Sequence, residues 1–462
     1  MGEKVGKGLR MKSVAAVEES LSKISEIDQS GYALNSVLAI APDALEQAEA
    51  YDRKNSDLPL HGLPILIKDN IEALGLPASA GSLALADTPV AQDSSIARRL
   101  REAGAVIVGA TNLSEWANIR STRSTSGWSA VGGLTANPWK HGRSAGGSSS
   151  GSGAAVAAGL TQWAIGSETD GSIICPASLN GCVGIKPTVG SIPRDGMIPI
   201  SASQDSPGPM AQTVEQAAIL LDVLTGKSEF AKAVASDQKI KIGVVRQWLT
   251  SNNELNTLFD GSVKVLEKHG FTMVDVELTE PVEQDHEDEL RVLLYELSEG
   301  LGTYLSHRSG SRLASLREVV QFNIENSEAE LKHFGQELFD MALDFESQRD
   351  EYHASRERNK LWAEKTLAQG LKDVDILIGC TFGPAWESNL ETGDNFQEAS
   401  WICTAPSIAG APIGTIPMGL ISGMPVGLGF VSARNQEAAL IGAMANAERA
   451  LGLGVLKPTF TR

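Results

Sequence analysis

Residues 146–153 read GGSSSGSG and pass without a break into AAVAAGL. A glycine–serine run by itself is a flexible linker. This one sits between apolar segments, and its small residues continue into a stretch of helical character. Backbone so poor in side chains, neither repetitive nor charged, marks a place where chain or ligand approaches closely. The same texture extends over residues 126–212, where Gly, Ser, Pro and Thr dominate. Only short apolar runs, QWAIG and CVGIK, interrupt it, and both read as strands.

The flanking sequence supplies a frame for that segment. Residues 12–28 read as an amphipathic helix and 36–40 (SVLAI) as a strand. Pro42 opens a helix, in the first-turn position that proline tolerates. Residues 64–68 (PILIK) read as a buried strand, 94–103 as a helix and 106–109 as a strand. Residues 214–225 read as a helix. Strands are expected at 240–245 and 271–278 with a helix between them, then at 375–379, 413–418 and 426–431, with a closing helix at 435–450. Alternating strands and helices predict an α/β architecture. Residues 281–370 differ: Glu, Leu, His and Arg recur at helical spacing, which reads as a helical insert or lid within one domain spanning 1–462.

Composition narrows the function. Of the 462 residues, 42% are hydrophobic, too many for a disordered chain. The formal charge of −18 disfavours direct binding to nucleic acid, which relies on Lys and Arg, and equally to an anionic membrane. Cys175, Cys182, Cys380 and Cys403 form no CxxC pair and have no histidines at zinc spacing, so reduced thiols in a cytoplasm are expected. The start, MGEKVGKGLRMKS, has no apolar stretch behind its charges and does not read as a signal peptide. No run of about 18 apolar residues suggests a membrane span.

Three features converge on chemistry. Lys68 ends an apolar strand and is followed by Asp69 and Asn70. Ser148, Ser149 and Ser150 follow Gly147. Ser172 follows Gly171 in GSETDGSI. Taken singly each is weak: a lysine ending a strand is usually solvated. A phosphate loop needs GK[ST] after its glycines, and that is absent. Gly147 to Gly151 also satisfies GxSxG with Ser149 as nucleophile, but that elbow needs a preceding strand and a late histidine. The last histidine is His353, inside a polar helical block. The SxxK pattern at Ser20 and Lys23 reads as helix surface.

Taken together these motifs resemble the amidase signature family. The resemblance rests on GGSSSGSGAAVAAGL…GSETDGSIICPASLNGCVGIKPT, flanked by HGLPILIKDNI, ATNLSEWAN, TSGWSAVGG, DGMIPISASQDSPGPMAQTV and TAPSIAGAPIGTIPMGL…GMPVGLGFVS. It covers most of the chain outside roughly 230–370, and the ETDGSI form is most similar to bacterial peptide amidases. It implies a large mixed central β-sheet covered by helices on both faces. It also implies a Ser–cis-Ser–Lys triad, with Ser172 as nucleophile, Ser148 as the cis-serine and Lys68 as base. Backbone N–H groups of Thr169, Asp170, Gly171 and Ser172 would form an oxyanion hole. Ser149, Asp69 and Asp205 would support these groups. No metal or cofactor is implied.

The residue types fit that chemistry. A serine hydroxyl is a poor nucleophile until a neighbour takes its proton. A lysine can do so only when neutral, and burial beside Ile65, Leu66 and Ile67 would lower its pKa. One departure bears on substrate: where many relatives carry arginine two residues past the nucleophile, this chain has Ile174. An apolar or uncharged substrate end is therefore expected. The leading expectation is an amidohydrolase acting on a peptide C-terminal amide or a related small carboxamide, as a monomer or homodimer. The alternatives are the A component of a tRNA-dependent amidotransferase and a non-catalytic binding protein on the same scaffold.

Overall fold

The computed structural model describes residues 12–54, 56–236 and 240–462. The first eleven residues, which carry most of the stretch read above for a signal peptide, lie outside them. Eleven strands of the described residues form one mixed sheet. In chain order they are β1 (Val37–Ile40), β2 (Pro64–Lys68), β3 (Val106–Thr111), β4 (Trp163–Glu168), β5 (Val183–Lys186), β6 (Ser206–Ala211), β7 (Lys241–Val245), β8 (Thr272–Val276), β9 (Ile376–Cys380), β10 (Ile413–Ile421) and β11 (Met424–Ser432). In space the order is β1-β3-β2-β4-β6-β5-β10-β11-β9-β7-β8.

β2 lies parallel to both β3 and β4, while β4 pairs antiparallel with β6. Ile65, Leu66 and Ile67 are fully buried, as a strand covered on both faces requires. That burial carries the strand's last residue, Lys68, into the interior as well. The helix expected from Pro42 begins at Ala44, with Asp43 in non-helical backbone at its cap, so the proline precedes the helix. Ser20, read above as surface, faces inward with Val17 and Ile24, while Lys23 pairs outside with Glu19.

β6 had no sequence signal, because Pro207 and Pro209 argue against a central strand. It is central nonetheless. β5 pairs only with its Ala211 and Met210, so both prolines lie outside that ladder.

Two short helices leave the sheet at the site, α1 (Ser150–Ala157) and α2 (Ile174–Asn180). Between β8 and β9 the chain forms α3 (Glu283–His307), α4 (Leu316–Glu325), α5 (Glu337–Phe345) and α6 (Arg349–Gly370), with a single turn at Ser327–Glu330. α3 buries Leu294, Leu297, Leu301 and Leu305, one stripe at helical spacing. The stripe packs on Val319, Phe339 and Ala342, and on Trp116, Ile119, Ile198 and Ile200 from the sheet side. Each such leucine contributes about 1.5–3 kcal/mol of burial. This cluster is separate from the main core and borders the site described next.

Candidate active site

Parallel pairing of β2 with β4 puts the tip of one beside the tip of the other. Lys68 is fully buried at the end of β2. Its Nζ donates to Ser148 Oγ at 2.7 Å, to Ser167 Oγ at 2.9 Å and to the Ser167 carbonyl at 3.3 Å. Asn70 Nδ2 donates to Ser167 Oγ at 2.9 Å from the other side. Burial pulls the Lys68 amine down to about 7, against the opposing pull of the Asp205 and Glu168 carboxylates.

Ser148 follows a cis peptide bond from Gly147. A side chain at Gly147 would strike the hydroxyls of Ser114 and Ser126, so only glycine fits that approach. The Ser149 N–H donates to the Ser172 carbonyl at 3.0 Å and ties the two glycine-bordered turns together. The Ser149 hydroxyl is committed elsewhere, donating to the Ser167 carbonyl at 3.0 Å and accepting its N–H at 3.2 Å. No strand of the described residues runs directly into it, so the GxSxG elbow reading fails.

Ser172 follows Gly171, whose φ of 82° favours glycine. The Glu168 carboxylate closes this turn by accepting the N–H of Ile173 at 2.7 Å and of Ile174 at 2.9 Å. It also draws the Gly171 N–H, one of the four groups named for an oxyanion hole. Asp205 supports the turn from below. It accepts the Thr169 hydroxyl at 2.6 Å and the N–H groups of Ile200 and Ser201 at 2.9 and 3.0 Å. Asp69 stands further off and accepts the N–H of Ser79 at 3.0 Å, together with its hydroxyl. Burial pushes both Asp69 and Asp205 up to about 6. Asp170 rises to about 7, through burial first and the Glu168 carboxylate second. Its carboxyl meets that of Glu289 on α3, which Gln204 Nε2 also contacts at 2.8 Å.

Ser172 opens on a cavity of about 200 Å³. Thr169, Asp170, Gly171 and Gly147 line its floor, and Ala117, Asn118, Ile119, Ile200, Leu293, Phe382 and Phe396 its wall. Ile174 is wholly buried in the core and is not among the lining residues. The sequence reading missed Ser167 and Glu168. Both stand inside GSETDGS, where the alternation of β4 turns Ser167 toward Lys68.

A glycine-bordered turn that presents a serine to a cavity, near a buried amine of lowered pKa in contact with a second serine hydroxyl, suits acyl transfer. The family model for amidases matches residues 15–441. The crystal structure of a peptide amidase from Stenotrophomonas maltophilia superposes with a TM-score of 0.89 at 39% identity, covering 98% of this chain and 96% of that one. A probable amidase of Arabidopsis thaliana is 35% identical over 94% of this chain and 85% of its own length. The A component of the glutamyl-tRNA(Gln) amidotransferase from Methanosarcina mazei is 33% identical over 90% of this chain and 89% of its own. No helix among the described residues is long and apolar enough to cross a membrane. Motif and sheet thus agree with the relatives, and the chain belongs to the amidase signature family of amide hydrolases.

Proposed function

We propose that this chain hydrolyses a primary carboxamide, at the C-terminus of a peptide or on a related small molecule, through an acyl-Ser172 intermediate. The observation that carries the reading is the buried Lys68 amine in contact with Ser148 Oγ at 2.7 Å. With Lys68 neutral, Ser148 passes it the Ser172 proton as Ser172 Oγ attacks the carbonyl carbon. Negative charge develops on the carbonyl oxygen, and backbone N–H groups of the Thr169–Ser172 turn stabilise it, other than that of Gly171, which Glu168 holds. One such donor is typically worth about 3–4 kcal/mol in the transition state. The proton then returns through Ser148 to the amide nitrogen, the C–N bond breaks and ammonia leaves. Water attacks the remaining ester by the same route and releases the carboxylate.

The peptide-amide choice rests on likeness to the Stenotrophomonas enzyme and on an uncharged wall at the cavity. It is tested by ammonia release from amidated dipeptides and from aryl and aliphatic carboxamides. Activity on the peptide amides is expected from the chain alone. Release from none of them would sink the substrate assignment. The likeness to the A component of amidotransferases favours a second reading. Glutamine hydrolysis that appears only with added partner proteins would select it.

A further inference from the structure

Trp116, Ala117 and Asn118 run consecutively with φ of 49°, 53° and 75°. Left-handed backbone is unfavourable for residues other than glycine, and least so for asparagine. It persists where the surroundings fix it. Here the Trp116 N–H donates to the Ala80 carbonyl at 2.9 Å, and its ring stands edge-on to Phe339 at 5.8 Å. A fully buried ion pair, Arg120 to Glu115 at 2.8 Å, brackets the turn. What the turn achieves is to bring residues 117–119 onto the wall of the Ser172 cavity.

Asn118 is the polar group on that stretch. Its amide lies beside the Asp394 carboxyl and opposes the rise that burial causes there. Asp394 also accepts the Ser126 hydroxyl at 2.6 Å and Trp386 Nε1 at 3.0 Å. A carboxylate taking donors on every side requires the Asn118 amide to present Nδ2 to it. Oδ1 is therefore the free end. It is buried and has no hydrogen-bond partner among the described residues. An acceptor left unpaired in a nearly dry wall is costly, and it is explained by a donor that arrives with the ligand.

We propose that Asn118 Oδ1 is a specificity-determining acceptor for a substrate N–H, and that Asp394 is the positioning residue that fixes its orientation. The inference rests on the reading that amides are cleaved at Ser172. The N–H belongs either to the scissile carboxamide or to the backbone of the residue that carries it.

Four substrates separate these sources: an N-acetyl amino-acid amide, the matching 2-acetoxy amide, the N-acetyl amino-acid methyl ester and the 2-acetoxy methyl ester. The last has no N–H. The variants are Asn118→Gly, since glycine adopts the positive φ freely, and Asp394→Asn, whose amide can donate to Oδ1 and occupy it. Both should lower kcat/KM roughly tenfold for substrates carrying the relevant N–H, the loss expected for one neutral hydrogen bond. The ester without N–H should stay within about twofold. Losses that follow one N–H identify the source. Equal losses on all four, or none, overturn the proposal. Wild-type turnover of none of the four sinks the hydrolase reading, and this proposal with it.

Discussion

The floor and the wall of the Ser172 cavity are held by different parts of the molecule. The floor comes from strand tips and the turns beside them. Beneath it Lys68, Ser148 and Ser149 are fully buried, Ser167 nearly so, and their polar groups bond to one another. The wall comes from distant segments, at 117–119, 200, 293, 382 and 396. It is mostly apolar, rests on a separate apolar cluster and carries an unpaired acceptor. The contrast separates two tasks. A sheet fixes relative positions tightly enough for proton transfer, which needs heavy atoms within about 3 Å. Selectivity needs only shape and a few polar points, so loops and an inserted helix suffice.

If that division is right, damage to the floor abolishes chemistry and leaves the fold standing. Ser172→Ala should lower kcat/KM by about four orders of magnitude, since residues acting as a unit fail together. Its melting temperature should stay within a few degrees of wild type, because the change removes one hydroxyl and keeps the bond from the Ser149 N–H to the residue 172 carbonyl. Lys68→Met should lose activity on the same scale. Steady-state kinetics and thermal melts read both outcomes. A Ser172→Ala protein within tenfold of wild type would assign the nucleophile elsewhere.

The next effect is set by pH. As the proposed base Lys68 would act only when neutral, and its amine is held at about 7. Below that value it is protonated, so kcat/KM should fall roughly tenfold per unit as pH drops through 6 and 5. Above about 8 it should level off. A profile flat from pH 5 to 8 would remove Lys68 from the proton path. Because the wall holds no group on that path, Asn118→Gly should leave the inflection in place.

The same division decides what the sequence could reveal. Lys68, Ser148 and Ser172 were legible as candidates because each stands in a contiguous motif: the end of an apolar strand, or a turn bordered by glycine. Helix 214–225 was legible to the residue, with its capping box at Thr213 and Gln216 and a left-handed Gly226 at its end. β6 was hidden because its prolines contradict the usual rule for a central strand, and only the partial pairing of β5 reconciles them. The wall was hidden for another reason. Asn118 and Asp394 are far apart in sequence and meet only through tertiary contact, so no local pattern marks either. The Asp170 and Glu289 carboxyls are a second pair of this kind.

The smallest effect should come from the wall where it is purely apolar. Leu293 reaches the cavity from α3 and is half-buried. Leu293→Ala shortens that side chain, widens the space beside Ser172 and touches no hydrogen bond of the floor. Removing apolar contact from a pocket costs at least about tenfold in discrimination when the contact is tight. Here the side chain is only half-buried, so a change of roughly three- to tenfold is expected. It should appear as a higher KM for small acyl groups and relative gain for bulkier ones. The stability cost should fall below the roughly 2–5 kcal/mol typical of a fully buried leucine. The pH inflection near 7 should not move, because Lys68 lies on the other side of the division. A variant whose kcat falls equally for every acyl group would mean that α3 holds the floor as well, and the two regions would then have to be treated as one.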